Sequence, residues 1–223
     1  INCETNNKIT KKFFYKKLKK DYISYAYTTI IEHKKILKNN VATQTFTKRG
    51  PIAFLPISNK ETSVVYSIKG ERKIEIADLI RKINFKYKID KINKISCFEL
   101  QSSNLRSYYH KNVLAFGDLL HKIHPLAGQG FNMSIRDIKS LIKIIEYKIN
   151  LGLNLDSSIC EEFQNKTKHT NYIFSNGIDF VYEFFNFENI YNNNMSAKLI
   201  KLFANNKISN KFFTKLADEG IVI

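Results

Sequence analysis

The segment GDLLHKIHPLAGQGFN, Gly117 to Asn132, contains the residues of this sequence best suited to hold a ligand. It includes three of the eight glycines and one of the three prolines among 223 residues. A helix that begins in a glycine-rich loop presents unpaired first-turn N–H groups and the positive end of its dipole. Gly128 and Gly130 let a ligand approach the backbone closely. The segment, called the glycine loop below, therefore predicts an anion site.

The spacing of the glycines excludes two common phosphate-binding motifs. A dinucleotide fingerprint GxGxxG beginning at Gly128 would need its third glycine where this sequence has Met133. A P-loop needs GxxxxGK followed by Ser or Thr, and no glycine here is followed by Lys and then Ser or Thr. The glycine loop must therefore serve another kind of ligand.

His121 and His124 are the side chains of the glycine loop that could transfer a proton near neutral pH. The sequence assigns no carboxylate partner to either, and loop histidines often only hydrogen-bond the backbone. Catalysis and a structural role both remain open for them. Arg136 and Asp137 follow on the next predicted helix, where we expect a local ion pair or exposure to solvent.

A strand and a helix must carry the glycine loop. NVLAFGD has the pattern of a short buried strand that ends at Gly117, and ligands gather at the carboxyl ends of such strands. After the loop, apolar residues recur at helical spacing from Phe131 to about Asn150. The apolar positions are Met133, Ile138, Leu141, Ile142 and Ile145.

The remaining sequence predicts an α+β fold. Tyr22 to Thr47 contains at least two strands, and IAFLPI with SVVYSI forms a β-hairpin. KIEIADLIRKINFKY is predicted to be a helix and KISCFELQSS another strand. Asn and Gly residues divide the C-terminal third into four predicted helical segments: SSICEEFQNKTKHTNYIF, IDFVYEFFNF, MSAKLIKLFANN and KFFTKLADEG.

The formal charge of +16 raises the question of a nucleic-acid or anionic-membrane partner. Only five of the 36 cationic residues are Arg, although bidentate phosphate recognition favours the guanidinium group. A solvated Lys-rich surface is the simpler interpretation, and we expect no nucleic-acid partner. In the run KKFFYKKLKK, Phe13, Phe14 and Leu18 lie near one helical face, which could bind a membrane surface but is better suited to cover a core.

Cysteine spacing and hydropathy restrict the class of protein to which this sequence can belong. Cys3, Cys97 and Cys160 are far apart and odd in number, which predicts neither a disulfide framework nor a zinc or other metal site. The sequence has no run of about 18 apolar residues, and its first residues lack the pattern of a secretory signal. These features favour a reducing compartment.

The string formed by Gly117-Asp118, His121, Pro125, the GQG triplet, Asn132 and Asp137 closely resembles the second flavin-binding motif of class A flavoprotein monooxygenases, which have the para-hydroxybenzoate hydroxylase fold. It is most similar to the ubiquinone-biosynthesis hydroxylase branch, whose pattern runs GDAAHxIHPLAGQGxNxGxxD. The sequence departs from that pattern at Leu119, Leu120 and Ser134. ATQTFTKRGPIAFLPIS with SVVYS, and NKFFTKLADEG, resemble the same family, so the likeness covers nearly the whole chain.

Full members of this family begin with a Rossmann-like segment carrying GxGxxG, and we expect this sequence to be a C-terminal fragment without it. The next family motif, Asp-Gly followed by Asn-Ser, is represented only by Cys3 to Asn7, where Glu4 stands for the Asp and the glycine is missing. The resemblance implies four regions: the end of a truncated FAD-binding segment (1–21), a substrate-binding β-sheet domain (22–110), a returning FAD-binding strand, loop and helix (111–150), and C-terminal helices (151–223).

The resemblance also assigns roles to residues. Asp118, after Gly117, would accept a hydrogen bond from a ribityl hydroxyl of FAD. Pro125 would lie beside the reactive face of the flavin, and Pro56 and Tyr66 would face the substrate. Helix N–H groups at the pyrimidine edge of the isoalloxazine would come from Gly128, Gln129, Gly130, Phe131 and Asn132.

The family chemistry implies that a flavin C4a-hydroperoxide, formed from reduced FAD and molecular oxygen, hydroxylates a polyprenylated phenol or quinone precursor, with NADPH or another donor supplying electrons. We expect a cytoplasmic protein, peripheral at the inner membrane, that works with other ubiquinone-biosynthesis proteins and is inactive as this fragment alone. Two alternatives are a non-catalytic remnant or interaction subunit and a basic nucleic-acid-binding module.

Overall fold

The computed structural model describes residues 1–70, 75–125 and 128–191. These residues form two compact units. The sheet unit is Asp21–Leu100, and the loop unit comprises Ile1–Lys20 together with the described residues from Gln101 onward. The elements in chain order are α1 (Lys8–Phe13), β1 (Lys17–His33), β2 (Thr43–Thr47), β3 (Gly50–Pro56), β4 (Glu61–Lys69), α2 (Ile76–Ile83), β5 (Ile89–Ile92), β6 (Ser96–Leu105), β7 (Tyr109–His110), β8 (Val113–Leu114), a 3₁₀ turn (Gly117–Leu119), β9 (His121–Lys122), α3 (Gln129–Asn150) and α4 (Ser158–Tyr191).

The sheet unit is built on antiparallel strands in the order β2, β3, β4, β1, with β5 also paired to β1. The predicted hairpin is confirmed, because β3 and β4 pair antiparallel with Ile52 opposite Tyr66. Helix α2 is shorter than predicted, and Lys73 and Ile74 at its predicted start lie outside the described residues. The buried core of this unit includes Tyr27, Ile31, Ile52, Phe54, Val64, Tyr66, Ile68, Ile76 and Ile80.

The loop unit has a hydrophobic core of its own. The short strand β9 pairs antiparallel with β6, with Asn104 opposite His121. The backbone of Asn2 forms an isolated parallel bridge with Ala115. The buried core includes Phe14, Leu105, Tyr108, Leu114, Phe116, Leu119, Leu120, Leu141, Ile144 and Phe163.

Two predictions before the glycine loop need correction. NVLAFGD is not one continuous strand, because β8 covers only Val113–Leu114 and Gly117 begins the 3₁₀ turn. The basic run is not one helix, because α1 ends at Phe13 and Leu18 lies in β1. Phe14 is fully buried, which supports the core-covering interpretation over membrane binding for this side chain.

The helices after the loop also differ in detail from the prediction. α3 is confirmed, but Ile138 and Ile142 are exposed, and its buried face instead contains Met133, Asp137, Leu141 and Ile144. The first two predicted C-terminal segments are one helix, α4, and the last two, 195–206 and 211–220, lie outside the described residues. Among the described residues, none of the helices combines the length and the apolar character needed to cross a bilayer.

Candidate functional site

Buried apolar residues anchor the backbone of the glycine loop near both of its ends. On the entry side, Leu119 and Leu120 are fully buried in the core of the loop unit. On the exit side, Met133 is fully buried in a cluster with Ile123 and Phe174. In this segment Asp118 and Pro125 are exposed, whereas the polar residues His121, His124 and Gln129 are buried.

The start of α3 is open to a ligand. Its N-cap residue is Gly128, which has left-handed backbone angles (φ 69°, ψ 15°) and offers no side chain to cap the helix. The first N–H groups of a helix generally lack an intrahelical partner and lie at the positive end of the dipole, although here the Phe131 N–H donates to the Gly128 carbonyl at 3.1 Å. A Cβ placed on Gly117 or Gly128 would meet nothing within 4 Å, so there is free space beside the backbone at both positions. This geometry fits an electron-rich ring edge or an anion.

The first turn of α3 has a packed side and an open side. A Cβ on Gly130 would lie 3.6 Å from Ile123 Cγ1, so this residue backs onto the loop unit. Gln129 is buried, and its Oε1 has no hydrogen-bond partner among the described residues. Phe131 is 72% exposed, and Asn132 is partly exposed. Gly128 to Asn132 therefore form the start of α3, while Gly117, Asp118 and Pro125 precede it, and contact of any of these residues with FAD stays a prediction.

His121 has a carboxylate partner that the sequence did not reveal. Its Nε2 lies 2.6 Å from Oδ2 of Asp137, and both side chains are almost completely buried. Asn171 Nδ2 donates to the other carboxylate oxygen of Asp137 at 2.9 Å. The expectation that Asp137 pairs locally or faces solvent is therefore wrong. Arg136 instead lies over the ring of Phe174, 4.3 Å from its centroid.

His124 is enclosed and uncharged at neutral pH. Its ring is stacked on Tyr182 with a centroid distance of 4.0 Å, and the residue is fully buried. Burial disfavours the protonated imidazole and lowers the pKa of His124 to about 4. A group with this pKa transfers protons poorly near pH 7, so the environment of His124 favours a structural role over general acid or base catalysis.

The two residues predicted to face the substrate lie in the sheet unit. Tyr66 is fully buried in its core, and its hydroxyl lies 3.2 Å from Thr47 Oγ1. Pro56 is partly exposed at the end of β3, opposite Thr62. Their position relative to a substrate stays a prediction.

The glycine loop lies within a segment that matches a known protein family. Residues 59–150 match the FAD binding domain family. The chain is 29% identical over 149 residues to 3-demethoxyubiquinol 3-hydroxylase of Escherichia coli, an alignment that covers 62% of this chain and 38% of the relative. It is 30% identical over 147 residues to the human mitochondrial ubiquinone biosynthesis monooxygenase COQ6, covering 47% of this chain and 31% of the relative. The chain thus spans between 31% and 38% of the length of these relatives.

Solved structures show the same fold. The aromatic hydroxylase CabE from angucycline biosynthesis matches with a TM-score of 0.66 at 14% identity, over 94% of this chain and 44% of that protein. The anhydrotetracycline hydroxylase OxyS from Streptomyces rimosus matches with a TM-score of 0.59 at 15% identity, over 91% and 42%. The chain therefore shares the fold of these aromatic hydroxylases. Over part of its length, the sequence is similar to the FAD binding domain family and to ubiquinone-biosynthesis hydroxylases.

Proposed function

We propose that this chain supplies the glycine loop and the substrate sheet of a FAD-dependent monooxygenase that hydroxylates a phenolic ring during ubiquinone biosynthesis. The start of α3 supports this proposal most directly, because Gly128 provides no side-chain cap and leaves free space beside the first turn of the helix. The surrounding residues fit FAD because they combine backbone donors with an exposed carboxylate acceptor at Asp118.

Each group at the site has a defined task. Bound FAD supplies the redox chemistry, which activates molecular oxygen for transfer to the ring with electrons from NADPH or another donor. The Asp118 carboxylate accepts a hydrogen bond from a hydroxyl of the ribityl chain. The first-turn N–H groups of α3 stabilise negative charge at the pyrimidine edge of the flavin. Pro125 borders the flavin face, and the buried Leu119 and Leu120 keep water away from the base of the loop.

The substrate we propose is a polyprenylated phenol or quinone precursor. The E. coli relative is named for hydroxylation of a demethoxyubiquinol, and the human relative for ubiquinone biosynthesis. A lipidic substrate calls for access to a membrane surface, so we also propose a peripheral location at the cytoplasmic face of the inner membrane. The formal charge of +16 is compatible with an anionic membrane surface.

Thermal unfolding with and without FAD tests the proposed site. A ligand at 100 times its Kd stabilises the native state by about 2.7 kcal/mol, so FAD should raise the Tm of the whole chain, whereas FAD should raise that of the Asp118→Ala variant much less. A Tm unchanged by FAD in the parent chain would contradict the proposal and favour a non-catalytic interaction subunit. Salt-dependent DNA binding without any effect of FAD would instead favour a nucleic-acid-binding module.

A further inference from the structure

One buried carboxylate connects three elements of the loop unit. Oδ2 of Asp137, on α3, accepts a hydrogen bond from His121 at the start of β9, and Oδ1 accepts one from Asn171 on α4. Asp137 and Asn171 are 1% and 6% exposed, and the His121 side chain is fully buried. A buried carboxylate is costly unless both oxygens are satisfied, and here each oxygen has a hydrogen-bond partner.

The His121 to Asp137 contact closes the glycine loop near its base. The two residues are sixteen positions apart, and most of the loop lies between them. A second contact inside the first joins Ile123 to Met133 through their shared apolar cluster. Two closures, one polar and one apolar, restrict the backbone conformations available to the residues between them.

One face of α4 supports the same loop. Asn171 binds Asp137, Phe174 packs in the cluster with Ile123 and Met133, and Tyr182 stacks on His124. Ile178 packs against this cluster as well. The positions 171, 174, 178 and 182 are separated by three, four and four residues, which places them on one helical face. Burial and then the nearby Asp137 raise the pKa of the core residue Tyr108.

We propose that Asp137, held by Asn171, is a positioning residue that fixes the glycine loop in the conformation that binds the flavin. Asp137 acts through His121 and through the start of its own helix, without touching the cofactor. This proposal rests on the proposed function. Its central claim, that Asp137 orders the glycine loop, concerns the protein without bound FAD.

Hydrogen exchange of the ligand-free chain tests that claim. In Asp137→Ala, peptides covering residues 117–135 should exchange about tenfold faster than in the parent chain, since the variant leaves His121 and Asn171 without their buried acceptor. Peptides from β3 and β4 should exchange at the parent rate. Gln164→Ala is the control, because Gln164 lies on the same helix α4 and its Oε1 accepts the backbone N–H of Tyr108 at 2.8 Å, a bond that involves none of His121, Asp137 and Asn171. It should leave exchange in the glycine loop unchanged.

The conservative variant Asp137→Asn keeps the shape and one acceptor oxygen, so it should accelerate exchange in the loop less than Asp137→Ala does. It also supplies the comparison if Asp137→Ala fails to fold, with an expected increase of about threefold over the parent chain. Parent-like exchange of the loop in every folded Asp137 variant would overturn the proposal. So would faster exchange spread equally over β3 and β4, since that reports a general loss of stability.

FAD binding provides the second readout. The Kd for FAD should rise about tenfold in Asp137→Ala and less than about twofold in Gln164→Ala. Failure of the parent chain to bind FAD would reject the proposed function, whereas the exchange experiment would still decide whether Asp137 orders the loop. Tenfold faster exchange with an unchanged Kd would overturn the positioning role.

Discussion

His121 Nε2 and Asp137 Oδ2 lie 2.6 Å apart in the buried interior of the loop unit, while Asp118, at the start of the same loop, is exposed. The two acidic residues of this motif therefore have different surroundings. The buried one is committed to contacts within the protein, and the exposed one is available to a ligand. Substitutions at the two ends of the motif should consequently have separable effects.

We predict that Asp118→Ala lowers FAD occupancy more than His121→Ala, whereas His121→Ala lowers stability more. An exposed carboxylate contributes little to folding, so the Tm of ligand-free Asp118→Ala should stay close to that of the parent. His121→Ala removes one donor from a buried carboxylate, which should cost about 3 kcal/mol. The flavin content of the purified variants and their melting curves without FAD measure the two effects. Equal flavin content in both variants would contradict the predicted order.

Gly128→Ala should destabilise the protein by about 1 kcal/mol, because the left-handed angles at this residue are unfavourable for any side chain with a Cβ. No steric clash adds to this cost. Gly130→Ala is the matched control, since its Cβ would make an ordinary contact with Ile123, and a helical alanine is favoured over glycine. Chemical denaturation should therefore show a lower free energy of unfolding for Gly128→Ala and no decrease for Gly130→Ala. A loss of similar size in both would contradict the role assigned to the backbone of Gly128.

Local patterns in the sequence predicted most of the fold. The β3–β4 hairpin has two β-rich segments on either side of a short polar turn, and α3 has helical periodicity, so both are encoded within short windows. The motif around the GQG triplet likewise placed the helix start within a few residues of Gly128. The periodicity of α3 nevertheless identified the wrong face in part, since Ile138 and Ile142 are exposed while Asp137 is buried.

The contacts of Asp137 could not be predicted because they are made across the fold. His121 and Asn171 are 16 and 34 positions away, and no local pattern joins them to Asp137. The continuity of α4 was missed for a related reason. The Asn176-Gly177 pair suggests a helix end, but Phe174 and Tyr182 on either side are buried, and their packing outweighs the low helix propensity of one glycine.

Stability should depend on pH through His124. Its pKa is about 4 in the folded protein and about 6.5 in the unfolded chain, so the unfolded chain binds more protons between these values. The free energy of unfolding should therefore rise by about 3 kcal/mol from pH 4 to pH 6.5 through this residue and stay level above that. Urea denaturation across this range measures the effect.

The variant His124→Phe is the control for this pH dependence. It keeps an aromatic ring against Tyr182 but cannot take up a proton. The difference in unfolding free energy between His124→Phe and the parent chain should therefore change by about 3 kcal/mol between pH 4 and pH 6.5. A difference independent of pH would show that burial does not depress the pKa of His124.

Gly177→Ala should stabilise the protein by about 0.5–1 kcal/mol, because Gly177 is an exposed residue in the interior of α4 and nothing lies within 4 Å of an added Cβ. The same substitution at Gly152, which follows α3 with φ of 68°, should destabilise by about 1 kcal/mol, since that backbone conformation favours glycine. If urea denaturation shows a gain in stability for Gly177→Ala and a loss for Gly152→Ala, the result agrees with a continuous α4. A loss of stability in Gly177→Ala would indicate instead that the helix is interrupted at this residue, as its Asn-Gly sequence alone suggests.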